Sequence, residues 1–99
     1  MAQDPNRLLD DWRKKIDAID LDLVRLLNER AQCAQEIGKI KKKLGLPAYS
    51  PDREEEIMRN VTSQSHGPLS LQALRRLFER IIDESRSLER RAIEGKSDE

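Results

Sequence analysis

An all-α fold of three helices is what this sequence predicts, and three observations predict it. Apolar residues recur in alternating steps of three and four along two long stretches. Glycine and proline cluster in only two internal places, Gly45 to Pro51 and Gly67-Pro68. Residues suited to starting and ending helices stand at the edges of each stretch.

The first series is Leu9, Trp12, Ile16, Ile19, Leu23, Leu26, Arg30, Cys33, Ile37, Ile40 and Leu44, interrupted only by Arg30. It predicts one very long N-terminal helix over about 6–44. The short middle helix, about 51–64, is expected to start at Ser50-Pro51, an N-cap residue followed by proline at the first helical position. Asp52 and Glu54 suit the positive end of its dipole, and Glu54, Ile57, Met58 and Val61 share one face. The long C-terminal helix, about 70–93, starts near Ser70 and carries Leu71, Leu74, Phe78, Ile81, Ser85, Leu88 and Ala92, with Ser85 as the interruption. Gly95 ends it, within a polar tail over about 94–99.

The 99 residues read as a single domain, and at 36% hydrophobic, 38% charged and one each of Trp, Tyr and Phe they are short of material for a core. A first helix of roughly 58 Å at 1.5 Å per residue exceeds a globule whose radius of gyration is about 13 Å. Its stripe calls for a second chain. Lys plus Arg and Asp plus Glu both number 19, so no global field recruits nucleic acid or an anionic membrane, and any anion site must be local. The single Cys33 excludes an internal disulfide framework, and no Cys or His pair stands at metal-ligand spacing. The stretch Met1 to Asn6 is polar, and no apolar run has signal-peptide or membrane-spanning length, which reads as cytoplasmic.

Polar residues at seam positions are the informative ones. Arg30 must find an anion or reach water, because an unpaired buried guanidinium is costly. Glu29, Glu36, an acid on another helix, or snorkelling would each satisfy it. Lys41 follows eleven residues later, within about 20° of the same face and some 16 Å along the axis; it also belongs to the run Lys39, Lys41, Lys42, Lys43, which suits a solvated helix end. Arg13 lies about 25 Å from Arg30 and about 42 Å from Lys41 on a straight helix, so it could join both only from an antiparallel partner. If two first helices cross near Val24, Arg13 of one comes level with about residue 35 of the other. Otherwise it is a surface arginine. Ser85 and Glu89, four residues apart, could line a polar pocket, with Arg53 and Glu54 adding a cation and a hydroxyl acceptor; a tolerated small Ser, an exposed Glu and ion pairs with Arg86, Arg90 or Glu56 are the alternatives. Trp12 and Cys33 read as packing residues and His66 as a solvated loop residue. No phosphate-binding loop, nucleophile elbow or metal motif is present in the sequence.

Five segments in order resemble the all-helical chorismate mutases, including the mutase domain of bacterial bifunctional mutase-prephenate dehydratases. They are Trp12 to Asp20 (WRKKIDAID), Leu26 to Arg30 (LLNER), Glu36 to Lys41 (EIGKIK), Asp52-Arg53-Glu54, and Leu77 to Ser85 (LFERIIDES). The resemblance implies an intertwined antiparallel helical-bundle homodimer with two equivalent sites. It also implies conversion of chorismate to prephenate on the shared route to phenylalanine and tyrosine, without cofactor. On this reading Arg30 and the neighbouring chain's Arg13 hold the two substrate carboxylates. Lys41 touches a carboxylate and the ether oxygen, Arg53 and Ser85 complete the anion site, Glu54 takes the ring hydroxyl, and Glu89 faces the ether oxygen. Ser50 stands where enteric members carry an acid shortly before Asp-Arg-Glu, which changes what is offered to the ring hydroxyl. Glu89 stands where they carry Gln, as in other branches of the family. Rivals are an isochorismate-pyruvate lyase on the same scaffold, against which Asp52-Arg53-Glu54 weighs, and a helical dimerisation module without activity.

A carboxyl donates a hydrogen bond only when protonated. Turnover is therefore expected to decline with rising pH as Glu89 loses its proton, and Glu89→Gln to abolish that decline. Parallel pH profiles of the two proteins check this; identical profiles would remove Glu89 from the role.

Overall fold

The computed structural model describes residues 4–95 and contains three helices: α1 (Pro5–Leu44), α2 (Pro51–Ser63) and α3 (Leu71–Glu94). No strand occurs among the described residues, and none of the helices is long and apolar enough to cross a membrane. Each helix begins and ends within a residue of the expected positions. Of the polar tail, residues 96–99 lie outside the described residues.

The chain divides into two compact units, Met1–Arg30 and Ala31–Glu99. The described part of the first is a helical stretch of α1 whose apolar stripe is exposed at Leu9, Trp12, Ile16, Ile19, Leu23 and Leu26. A lone helix cannot cover its own stripe. Trp12, expected to be packed, is accordingly 63% exposed in the single chain. Local pairs brace the outer face: Arg25 reaches Glu29 at 3.2 Å, and Asn28 Nδ2 donates to Val24 O at 3.0 Å.

The second unit holds the last turns of α1 with α2 and α3. α1 ends in a Schellman motif: the N–H of Leu46 donates to Lys41 O and that of Gly45 to Lys42 O. Gly45 takes a left-handed φ of 69°, the conformation glycine adopts without steric cost. α3 is capped by Ser70, whose Oγ accepts from the N–H of Ala73 at 3.0 Å, and it closes at Gly95. Ser50 departs from expectation. It occupies the N-cap position of α2 but makes no side-chain cap hydrogen bond. Its φ of −137° and ψ of 88° differ from the extended backbone of Ser70 (−67° and 155°), which does cap α3, while Pro51 at the first helical position presets φ for α2.

α2 packs on α3, and Ile82 of α3 and Ala34 of α1 are the buried apolar side chains among the described residues. Cys33, although at a seam position, is exposed. The tightest approach joins α1 to α3 at Gly38, which is buried. A Cβ there would lie 2.7 Å from Ala92 Cβ, 2.8 Å from Glu89 O and 2.9 Å from Glu89 Cα. Backbone atoms cannot yield as a flexible side chain can, so only glycine fits.

Gly38→Ala should therefore lower stability by about 1–3 kcal/mol through overpacking, although alanine in an open helical site would gain about 1 kcal/mol. Urea denaturation checks the sign, and a stabilised variant would contradict the close approach.

Candidate active site

Lys41 follows Gly38 by three residues on α1, and Glu89 is the α3 residue whose backbone Gly38 meets. The close approach therefore brings their side chains together: Lys41 Nζ lies 2.6 Å from Glu89 Oε1, with both side chains about 15% exposed (16% and 15%). Lys41 Nζ also donates to Ala48 O at 2.9 Å. That second contact is the well-directed hydrogen bond. Glu89 Oε1 is shielded from solvent and lacks a directed donor, so the Lys41 contact is an ion pair by proximity. A newly offered polar atom would compete for both groups on good terms.

Ser85 lies one turn before Glu89, half-buried, and its Oγ donates to Ile81 O at 3.0 Å. Glu54, on the first turn of α2, is held from α3: Arg86 Nε donates to Oε2 at 3.0 Å and Nη2 to Oε1 at 2.5 Å. The guanidinium stacks on the Tyr49 ring at 4.8 Å and has Asp83 at 3.6 Å. Its hydrogen bond to Glu54, above all, raises the Arg86 pKa above the usual arginine value, against an opposing effect of burial. Tyr49, Glu54, Met58, Arg75, Ile82 and Arg86 help line an open groove of about 650 Å³.

Of the residues expected at the site, the second unit thus joins Lys41 directly to Glu89 and sets Ser85 on the same helix. Glu89 pairs with Lys41 and not with Arg86 of its own helix, which is taken by Glu54. Arg53 is exposed and forms an ion pair with Glu56 one turn on, as one of the alternatives had it. Ser50 is half-buried at the start of α2. In the first unit, Arg30 is half-buried with a partner, and Arg13 is exposed. No group of three or more potential metal ligands occurs among the described residues.

Sequence reasoning missed the Gly38 contact and the Arg86–Tyr49 clamp. For the first, Ala34 and Gly38 as small residues one turn apart were a usable signal. The second joins residues far apart in the chain, and no local pattern announces it.

The model of the family described as chorismate mutase type II matches residues 12–90. This chain belongs to that family. It is 41% identical over 91 residues to a bifunctional chorismate mutase/prephenate dehydratase of Neisseria gonorrhoeae, covering 91% of this chain and 24% of that protein. It thus spans about a quarter of the length of such bifunctional relatives. A chorismate mutase of Thermus thermophilus superposes with a TM-score of 0.82 at 40% identity, over 84% of this chain and 94% of that one. A chorismate mutase of Helicobacter pylori, solved in complex with prephenate, superposes at 0.81 and 30% identity, over 92% and 99%. The three-helix architecture is the chorismate mutase fold, and the resemblance carried by the five segments holds.

Lys41→Met leaves the shielded Glu89 carboxylate without its cation and should cost about 1–3 kcal/mol. Adding Glu89→Gln should recover most of that loss. Denaturant melts of the two single variants and the double variant test it; additive losses would mean that the pair is not coupled.

Proposed function

We propose that this chain is a chorismate mutase that rearranges chorismate to prephenate, acting as an antiparallel homodimer with two equivalent sites. The observation that carries the reading is the Lys41–Glu89 pair, set across the close α1–α3 contact of a chain in the chorismate mutase type II family. The prephenate complex of the Helicobacter pylori relative supports the choice of ligand. The exposed apolar stripe of α1 supports the second chain.

The reaction is a [3,3] shift: the ether carbon–oxygen bond breaks, a carbon–carbon bond forms, and electrons move around a six-membered ring without proton transfer. A protein assists in two ways. It holds the flexible dianion with its enolpyruvyl arm over the ring, and it stabilises charge growing on the ether oxygen. Arg30 and Arg13 of the partner subunit hold the carboxylates, with Arg53, Ser50 and Ser85 completing the polar wall. Glu54 accepts from the ring hydroxyl. Lys41 turns from Glu89 and Ala48 O towards the ether oxygen and a carboxylate, and Glu89 faces the same oxygen, to which a carboxyl donates only when it carries a proton. Arg53 reaches the substrate by leaving Glu56, at little cost, since exposed pairs contribute about 0–1 kcal/mol.

Purified chain should consume chorismate and produce prephenate; salicylate and pyruvate from isochorismate instead would identify a lyase. Arg13→Ala and Arg30→Ala should each lower turnover by a factor on the order of 10² to 10³. Refolded together in equal amounts, they should regain about a quarter of wild-type turnover, because half the dimers are mixed and one site in each of those keeps both arginines. A mixture as inactive as its components would contradict a shared site.

A further inference from the structure

Glu54 does not stand alone on α2. Both of its oxygens are engaged by one guanidinium from α3, a fork-to-fork arrangement that fixes a carboxylate in orientation as well as in charge. The guanidinium is itself fixed. Tyr49, in the connection between α1 and α2, covers one face at 4.8 Å, and the pair is more than two-thirds covered, with side chains 28% and 23% exposed. An ionised carboxylate offers about four acceptor sites, and Arg86 uses one on each oxygen. Each oxygen keeps a free direction, and the side chain can only accept.

We propose that Arg86, held by Tyr49, is a positioning residue that orients Glu54 to accept the ring hydroxyl of the substrate; this rests on the chorismate reading above. A hydroxyl contact exists in ground state and transition state alike, so loss of its orientation weakens binding of both. Arg86 acts only through Glu54, and its removal has no effect once Glu54 can no longer be oriented. A lysine at this position keeps the charge but lacks the planar fork and the stacking face, so it restores only part of the function.

The test is a double-mutant cycle on the dimeric enzyme, with kcat and KM for chorismate measured in wild type, Arg86→Ala, Glu54→Gln and the double variant. The expected result is a KM raised about tenfold by Arg86→Ala with kcat within about twofold, the pattern of lost uniform binding. The double variant should be no worse than Glu54→Gln alone. Arg86→Lys should recover only part of the loss, and Tyr49→Leu should raise KM by a smaller factor that vanishes in the Glu54→Gln background. Should Arg86→Ala fail to fold, Arg86→Lys and Tyr49→Leu carry the same cycle. Losses that multiply across the cycle would overturn the positioning role, as would faster turnover on freeing Glu54 from Arg86. A wild type that rearranges chorismate while the cycle fails refutes this role alone. A wild type without turnover refutes the reading beneath it, and this inference with it.

Discussion

The contact between α1 and α3 at Gly38 is the interaction on which the candidate site depends. Because α1 carries no Cβ there, the α3 backbone at Glu89 comes within a distance that any other residue would block. Lys41, less than a turn further along α1, and Glu89 on α3 therefore meet at 2.6 Å. With about 15% of each side chain exposed, the ammonium and carboxylate lie where water screens them weakly, so proximity alone holds them together without a directed hydrogen bond between them. The same lysine fastens Ala48 in the connection that leads to α2. One small residue thus sets the helix spacing, the ion pair and the entry to the next helix.

A second clamp mirrors the first. Arg86 of α3 grips Glu54 of α2 and lies on Tyr49. Each of the two clamps joins a cation to a carboxylate on another helix and is only partly exposed, whereas pairs such as Arg25–Glu29, Lys39–Glu36, Arg53–Glu56 and Arg80–Glu84 are intrahelical and well exposed. Such surface pairs contribute little. Interhelical pairs in a part-shielded setting instead hold side chains in place, which the proposed rearrangement by positioning and charge would require.

Much of this was legible in the sequence. The three-four steps from Leu9 to Leu44 and from Leu71 to Ala92, with Pro51, Gly45 and Gly95 as punctuation, gave three helices whose ends the structure matches within a residue, because local periodicity and cap chemistry determine such boundaries. Lys41 and Glu89 were identifiable as polar residues near apolar seams. The residue pattern alone left their pairing open, since Lys41 also fitted a solvated charge run and Glu89 an intrahelical pair with Arg86; the family resemblance, by setting both at the ether oxygen, put them side by side. Deciding between these needs the helix–helix distance, and that distance follows from Gly38. Ser50 shows the opposite error: its type and position favoured a capping hydroxyl, but its backbone does not take the extended conformation found at Ser70 and no such bond forms. Trp12 and Cys33, assigned to packing from their seam positions, are exposed because burial is a property of what surrounds a stripe and not of the stripe itself.

On the proposed reading, the cationic site rearranges chorismate only when a second copy supplies Arg13. Turnover per chain, measured across a dilution series alongside the dimer fraction from sedimentation, tests it most directly. Turnover per chain is expected to fall in step with the dimer fraction and to be restored on reconcentration. Constant turnover per chain where the protein is monomeric would contradict it.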